Sequence, residues 1–191
     1  MSEEAMLVDE ASAGSMPAFE QLVLLYGKRI YNYCYRMTEN KEDAEDTAQE
    51  VFIKAYRSLN GFKRNSSFST WLFSIAYNAC IDILRKKKLV IVPIAGHDED
   101  SKNQIAELAS NEPSVEEEVL MNERKNAVHK AIAKLKPEYR TVILLREIDG
   151  LSYDEIASVL NIPLGTVKSY ISRARDELRT SLINEIGKDG K

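Results

Sequence analysis

Gly150-Leu-Ser-Tyr-Asp-Glu-Ile-Ala-Ser-Val-Leu-Asn-Ile-Pro-Leu-Gly-Thr-Val-Lys-Ser-Tyr-Ile-Ser-Arg-Ala-Arg-Asp-Glu-Leu-Arg179 is the stretch on which the reading of this chain turns. Ser152 and Glu155 have the spacing of a capping box, which predicts a helix from about Tyr153. Ile156, Ala157 and Leu160 give that helix an apolar face. Asn161, Pro163 and Gly165 punctuate a short turn. Val167, Ile171, Ala174 and Leu178 then recur at helical spacing. The opposite face carries Lys168, Ser169, Tyr170, Ser172, Arg173 and Arg175. Two helices joined by a tight turn, the second basic, fit a helix-turn-helix whose second helix enters the DNA major groove. The plainer reading is two more helices of a bundle with a solvated charged face. A capping box alone, or two basic residues alone, would not separate these readings. The cap, short helix, turn and basic helix together favour DNA recognition.

Outward from this motif, the rest of the chain also reads as helix, with almost no strand alternation. Pro17 marks a helix start, and Phe19, Leu22, Val23, Tyr26, Ile30, Tyr33 and Met37 keep one face apolar. Asn40 can cap a second helix that stops at Asn60-Gly61. A polar loop follows, and then a helix from about Thr70 to Lys88 with Trp71, Leu72, Ile75, Ala79 and Ile83 as its core stripe. Its last turn, Arg85-Lys-Lys-Lys88, suits the negative end of the helix dipole. Residues 91–113 contain Pro93, Gly96, Pro113 and the acidic run Asp98-Glu-Asp100, and read as a flexible acidic linker. Ser114 and Glu117 cap the next helix, which runs to about Leu135, and Pro137 opens another that ends at Asp149-Gly150. The expected fold is all-α: two small helical domains at 16–90 and 114–185, with disordered tails at 1–15 and 186–191.

The net charge of −4 argues at first against a nucleic-acid partner, but its distribution reverses that impression. Residues 1–50 carry −7, 51–88 carry +7, 89–118 carry −7 and 119–191 carry +3. Two segments that could face phosphate alternate with two that would repel it, which suggests several partners of different charge. Cys34 and Cys80 sit in apolar helical patterns without a paired-cysteine motif, and read as buried thiols in a reducing compartment. There is no signal-peptide pattern and no apolar run long enough to span a membrane, so the expected location is cytoplasmic. His97 and His129 lack an evident nucleophile or ligand partner. No phosphate loop and no hydrolase or metalloprotease motif occurs, so nothing in the residues argues for catalysis, a metal or a cofactor.

Two segments carry chemistry besides the opening motif. Asp43, Asp46 and Glu50 share one helix face. They fit a helix start favoured by its dipole or a docking surface for a basic partner, whereas a hard-metal site would need convergent ligands from other elements that the sequence does not offer. Residues 62–88 interleave aromatic, amide and basic side chains, with Ser74, Asn78, Asp82 and Arg85 on one face of the helix. Such a surface suits unstacked bases, which need a platform and cations for the backbone. Trp71 and Phe73 read equally as core, whereas Phe68, in a polar loop, is the more open candidate for stacking.

Taken together these residues resemble an extracytoplasmic-function (ECF) sigma factor of bacterial RNA polymerase. Asp43-Ala-Glu-Asp-Thr-Ala-Gln-Glu-Val-Phe-Ile-Lys-Ala-Tyr56 resembles region 2.2, and Phe68-Ser-Thr-Trp-Leu-Phe-Ser-Ile-Ala-Tyr-Asn78 resembles regions 2.3 and 2.4. Leu135, Pro137, Arg140, Ser152, Glu155, Ala157, Gly165-Thr-Val-Lys-Ser169 and Arg173-Ala-Arg175 follow the pattern of region 4. The resemblance implies no enzyme activity and no cofactor. It implies that Asp43, Asp46, Gln49, Glu50 and Phe52 dock on the clamp helices of the polymerase β′ subunit, and that the β flap is a further contact. The −10 element would be held as single strand by Arg64, Asn65, Ser66, Ser67, Phe68, Trp71, Asn78, Asp82 and Arg85. The −35 element would be read as duplex by Thr166, Lys168, Ser169, Tyr170, Ser172, Arg173 and Arg175. The acidic linker would thread the RNA exit path, and an anti-sigma factor would hold the protein inactive. Relatives usually carry Arg where this chain has Tyr170, so their −35 sequence does not transfer. The competing reading is a helix-turn-helix regulator that does not act as a polymerase subunit. Such proteins usually carry strand-rich sensory domains, and residues 16–88 show no strand period.

Overall fold

The computed structural model describes residues 2–90 and 115–186, and among them every regular element is helical. The predicted linker at 91–113, and the tail beyond Ile186, lie outside the described residues. Helices α1 (Glu3–Ser12), α2 (Met16–Thr38), α3 (Lys41–Ser58) and α4 (Phe68–Val90) form the first group. Helices α5 (Val115–Ala133), α6 (Pro137–Ile143), α7 (Tyr153–Leu160) and α8 (Leu164–Ile186) form the second, with one wider helical turn at Leu144–Ile148 continuing α6.

Local chemistry sets the helix starts. Ser15 accepts from the Ala18 amide, and Pro17 sits where a helix needs no donor. Asn40 Oδ1 accepts from the Asp43 amide at 3.0 Å. At α7 the predicted capping box closes in both directions. The Glu155 amide donates to Ser152 Oγ at 3.2 Å, and the Ser152 amide donates to Glu155 Oε2 at 2.9 Å. Asn161, at φ 52°, ends α7 in the left-handed conformation that asparagine tolerates.

Residues 1–15, expected to be a disordered tail, contain α1 instead. Ser2 caps it, Glu3 and Glu4 suit its N-terminal dipole, and Val8 and Ala11 are buried against α2. Tyr26 donates from its hydroxyl to Glu4 at 2.9 Å, and Asp9 pairs with Arg64. The acidic composition hides a short apolar stripe at Leu7, Val8 and Ala11 that suffices once α2 supplies a partner.

In the first group, Phe19, Leu22, Tyr26, Ile30, Tyr33 and Met37 of α2 meet Val51 and Ala55 of α3 and Leu72, Phe73 and Ala76 of α4. Cys34 and Cys80 are both free and buried there. The neighbouring Cys34 thiol, then burial, raise the Cys80 thiol well above its ordinary range, which makes it unreactive. Leu135, Val142, Leu145, Ile156, Val159, Val167, Ile171 and Ala174 build the core of the second group, and the buried set runs continuously into the first.

Polar contacts join the two groups. Arg140 on α6 is 7% exposed and reaches under the end of α2. Its guanidinium donates to the Met37 carbonyl at 3.0 Å and pairs with Glu39 at 2.6 Å. Arg29 Nη2 donates to the Asp149 carbonyl at 3.1 Å, while Arg29 Nε lies 3.4 Å from Asp149 Oδ1. Thr70 Oγ1, at the start of α4, donates to Glu155 Oε1 of α7 at 2.9 Å.

Asp149 gives this contact a pH dependence. Burial pushes its carboxyl up from 3.8 to about 6, against the opposing pull of Arg29 and Arg36. A raised acid favours the protonated form in the folded state. Its contribution to stability is therefore full below 3.8 and is lost as pH rises through about 6. A change of that size corresponds to a loss on the order of 3 kcal/mol. Urea unfolding of wild type and Asp149→Asn between pH 4 and 7 should show this slope only in wild type. Parallel slopes would show that Asp149 is not its source.

Candidate nucleic-acid interface

Residues 62–67 and α4 form one side of the candidate interface. Phe62, Phe68 and Trp71 make a cluster with ring centroids 5.0 to 6.1 Å apart, and Tyr26 meets Phe68 edge-on at 5.4 Å. Phe68 is only 4% exposed, so it is a pedestal under the loop and not an open stacking surface. This corrects the expectation drawn from its polar neighbours: a loop can turn one aromatic inward when α2 and α4 offer a cleft. Trp71 is half-buried on the same cluster. Arg64, Asn65 and Ser67 are exposed above it, with Ser66 half-buried beside them. Arg64 adopts the left-handed conformation at φ 55° and pairs with Asp9. Ser67 accepts from the Thr70 amide at 3.1 Å and so caps α4.

Along α4, Leu72, Phe73, Ala76, Ala79 and Cys80 are buried, so the core stripe lies a little around from the expected one. Ser74, Asn78, Asp82 and Arg85 stay on one face, with Asn78 and Arg85 exposed. Arg85 donates to Asp82 at 2.8 Å, and Asn78 has a free approach from solvent. Lys87 pairs with Asp43, tying the basic end of α4 to the acidic start of α3.

The second surface is α8. Val167, Ile171 and Ala174 are buried against α6 and α7, which turns Lys168, Ser172 and Arg173 outward. Thr166, Ser169 and Tyr170 are half-buried at the rim. Tyr170 meets Tyr139 of α6 edge-on at 5.4 Å, and the nearby Tyr139 hydroxyl raises the pKa of the exposed Arg173 guanidinium further. Arg175 points elsewhere: its guanidinium pairs with Glu147 at 2.6 Å. The residues expected to read duplex therefore divide, with Arg175 on a separate flank.

The acidic face of α3 presents Asp46, Gln49 and Glu50 to solvent, with Phe52 half-buried behind them and Glu50 paired to Lys54 at 2.8 Å. Asp43 is half-buried beside Lys87. Sequence reasoning missed the apolar residues exposed near this face and on α2: Ile53, Leu24 and Leu25, the last two 75% and 56% exposed. Their signal was available, since both leucines stand off the stripe set by Leu22, Tyr26 and Ile30. Among the described residues no helix is long and apolar enough to cross a membrane.

The sequence matches the family described as Sigma-70 region 2 over residues 22–90 and the family described as Sigma-70, region 4 over residues 125–178. It is 41% identical over 178 residues to the ECF RNA polymerase sigma factor SigW of Bacillus subtilis, covering 92% of this chain and 94% of that protein. Over 186 residues it is 37% identical to the RNA polymerase sigma-H factor of Pseudomonas aeruginosa, covering 94% of each. The ECF RNA polymerase sigma-E factor of Escherichia coli K12 is 35% identical over 180 residues, with 92% of each covered. Among solved structures, CnrH in complex with the cytosolic domain of CnrY superposes with a TM-score of 0.70 at 24% identity, over 96% of this chain and 99% of that one. At that identity the likeness shows a shared fold.

Proposed function

This chain belongs to the extracytoplasmic-function (ECF) sigma factors, and on that premise we propose how its surfaces divide the work of promoter recognition. It binds core RNA polymerase and directs transcription initiation at promoters. The observation that carries the division is the sorting of α8, where Val167, Ile171 and Ala174 are buried and Lys168, Ser172 and Arg173 face out. A basic helix held on a rigid support is what major-groove reading requires. In this reading, Thr166, Lys168, Ser169, Tyr170, Ser172 and Arg173 face the −35 duplex. Arg175 contributes by anchoring α8 to Glu147.

The exposed Asn78, Arg85, Arg64, Asn65 and Ser67 meet the −10 element as single strand, supported by the Phe62, Phe68 and Trp71 cluster. Burial of Phe68 and half-burial of Trp71 suit a support that holds the loop in shape. Residues 16–90 act as region 2 and residues 114–185 as region 4, joined by the acidic segment at 91–113. The protein works in the cytoplasm, has no catalytic role of its own, and is held in check by an anti-sigma partner.

Asp46 and Glu50 are the test of the polymerase face. Both are exposed, and reversal of exposed charge acts mainly on association rate. Asp46→Lys with Glu50→Lys should weaken binding to core polymerase by roughly tenfold or more at low salt, with helical content intact. Fluorescence titration of labelled protein with purified core enzyme measures it. An unchanged affinity would return this face to a solvated helix start, and failure of wild type to bind would favour the plain regulator.

A further inference from the structure

Arg64 sits in a backbone conformation that a residue with a side chain rarely adopts. Its φ is 55°, in the left-handed region, and it is neither glycine nor asparagine. Such a conformation persists only where the surroundings hold it. On either side the loop is well anchored. Phe62 packs on Trp71 with ring centroids 5.0 Å apart, and its amide donates to the Leu59 carbonyl at 3.0 Å. Ser67 accepts from the Thr70 amide at 3.1 Å. Between these anchors, residues 63–66 have one polar tie to another element among the described residues, the ion pair of Arg64 with Asp9 of α1. We propose that Asp9 is a positioning residue for base discrimination at the −10 element: it holds the Arg64 guanidinium, and through it the turn of the loop, in the arrangement that meets the unstacked base. This inference rests on the reading of the loop at 62–67 as a −10 contact.

Helix α1 is built to hold Asp9 in that place. Ser2 caps it, and Val8, the residue before Asp9, is buried together with Ala11. Glu4, near the start of α1, accepts from the Tyr26 hydroxyl at 2.9 Å, and the Tyr26 ring meets Phe68 edge-on at 5.4 Å. The same short helix is therefore connected to the loop twice, at its arginine through Asp9 and at its buried pedestal through Glu4 and Tyr26. The side chains of Arg64 and Asp9 are 49% and 44% exposed, so water screens the pair and it contributes little to the stability of the fold. What it biases is where a long, otherwise free guanidinium sits. A carboxylate beside Arg64 also engages the donors that would grip a phosphate of the strand. Phosphate contacts carry no sequence information directly, whereas a loop of fixed shape can tell one base from another. Asp9 thus favours discrimination over general affinity.

The experiment uses holoenzyme assembled from the full chain and core polymerase, with pre-melted templates randomised across the −10 element and a scrambled bubble as reference. Asp9→Ala should reduce preference at the base the loop meets by roughly two- to fivefold, the scale of a screened ion pair. Affinity for the scrambled bubble should stay level or rise, with a salt slope steeper by up to about 0.7, because the freed Arg64 can neutralise one phosphate. Asp9→Glu keeps the charge and should lie closer to wild type than Asp9→Ala on both measures. The double variant Asp9→Ala with Arg64→Ala should discriminate no worse than Arg64→Ala alone, since Asp9 acts through that side chain. A purely structural Asp9 would behave differently, its loss lowering binding to every template together with the urea midpoint. That pattern would overturn the inference, as would Asp9→Ala with wild-type base preference, or additive losses in the double variant. Arg64→Ala with unchanged base preference would overturn the −10 reading of the loop as well, which separates the two failures.

Discussion

Arg140→Ala is expected to lower the stability of the whole protein by about 3–5 kcal/mol, the range for removing one member of a buried charged network. The size follows from what the side chain leaves behind. Arg140 donates to the carbonyls of Met37 at 3.0 Å and of Arg36 and Leu135 at 3.4 Å, and also to that of Ala133. Two buried carbonyls, of Met37 and Leu135, lose a charged donor at once, each costing about 1–3 kcal/mol of desolvation without return. The ion pair with Glu39 is the smaller part, because the Glu39 side chain is 44% exposed and screened by water. Glu39→Gln should therefore cost below about 1 kcal/mol. Arg140→Met, which fills much of the same volume without donors, separates packing from hydrogen bonding. Urea midpoints of the three variants measure this. If Arg140→Met matched wild type, the carbonyl contacts would contribute nothing and cavity formation alone would explain the alanine variant.

Arg140 also marks the limit of what the residues revealed alone. Its motif position was legible, but a charged residue early in a helix reads as solvent-facing. Nothing local says that it enters beneath a helix end 103 residues earlier in the chain. The same holds for Arg29 with Asp149 and for Thr70 with Glu155: long-range polar pairs leave no periodic trace. By contrast the caps were legible because their chemistry is complete within four residues. Ser152 with Glu155 and Asn40 with the Asp43 amide formed as their spacing requires. Buried stripes on α2 and α8 were legible for the same reason, since apolar period maps directly onto burial. Phe68 was misread because polarity of its neighbours was taken as exposure. The first helix was misread because acidic composition outweighed three apolar residues. Tyr139 escaped notice because its partner Tyr170 comes from another helix, although the unusual Tyr170 was visible.

Arg173 and Asn78 should separate the two DNA contacts, with the larger functional loss at the step each one serves. Arg173 is exposed on α8, with its guanidinium donors turned toward solvent. Arg173→Ala should weaken holoenzyme binding to duplex promoter before melting, by about 1–3 kcal/mol if it reads a base. If it touches phosphate only, the loss should be similar across sequences and the salt dependence shallower. Asn78 is exposed on the outer face of α4, away from Leu72, Ala76 and Ala79. An amide there can bond the Watson–Crick edge of a base only when the strand is open, because pairing hides that edge in the duplex. Asn78→Ala should leave the closed complex nearly unchanged and reduce open-complex formation. On a pre-melted template it should alter preference at one −10 base. Since neither side chain is buried, neither substitution should move the unfolding midpoint by more than about 0.5 kcal/mol in stability. Permanganate footprinting beside gel shifts on matched duplex and bubble templates distinguishes the two steps. Equal loss of duplex binding in both variants, with no change of base preference on the bubble, would remove single-strand reading from α4 and leave its exposed amide as solvated surface.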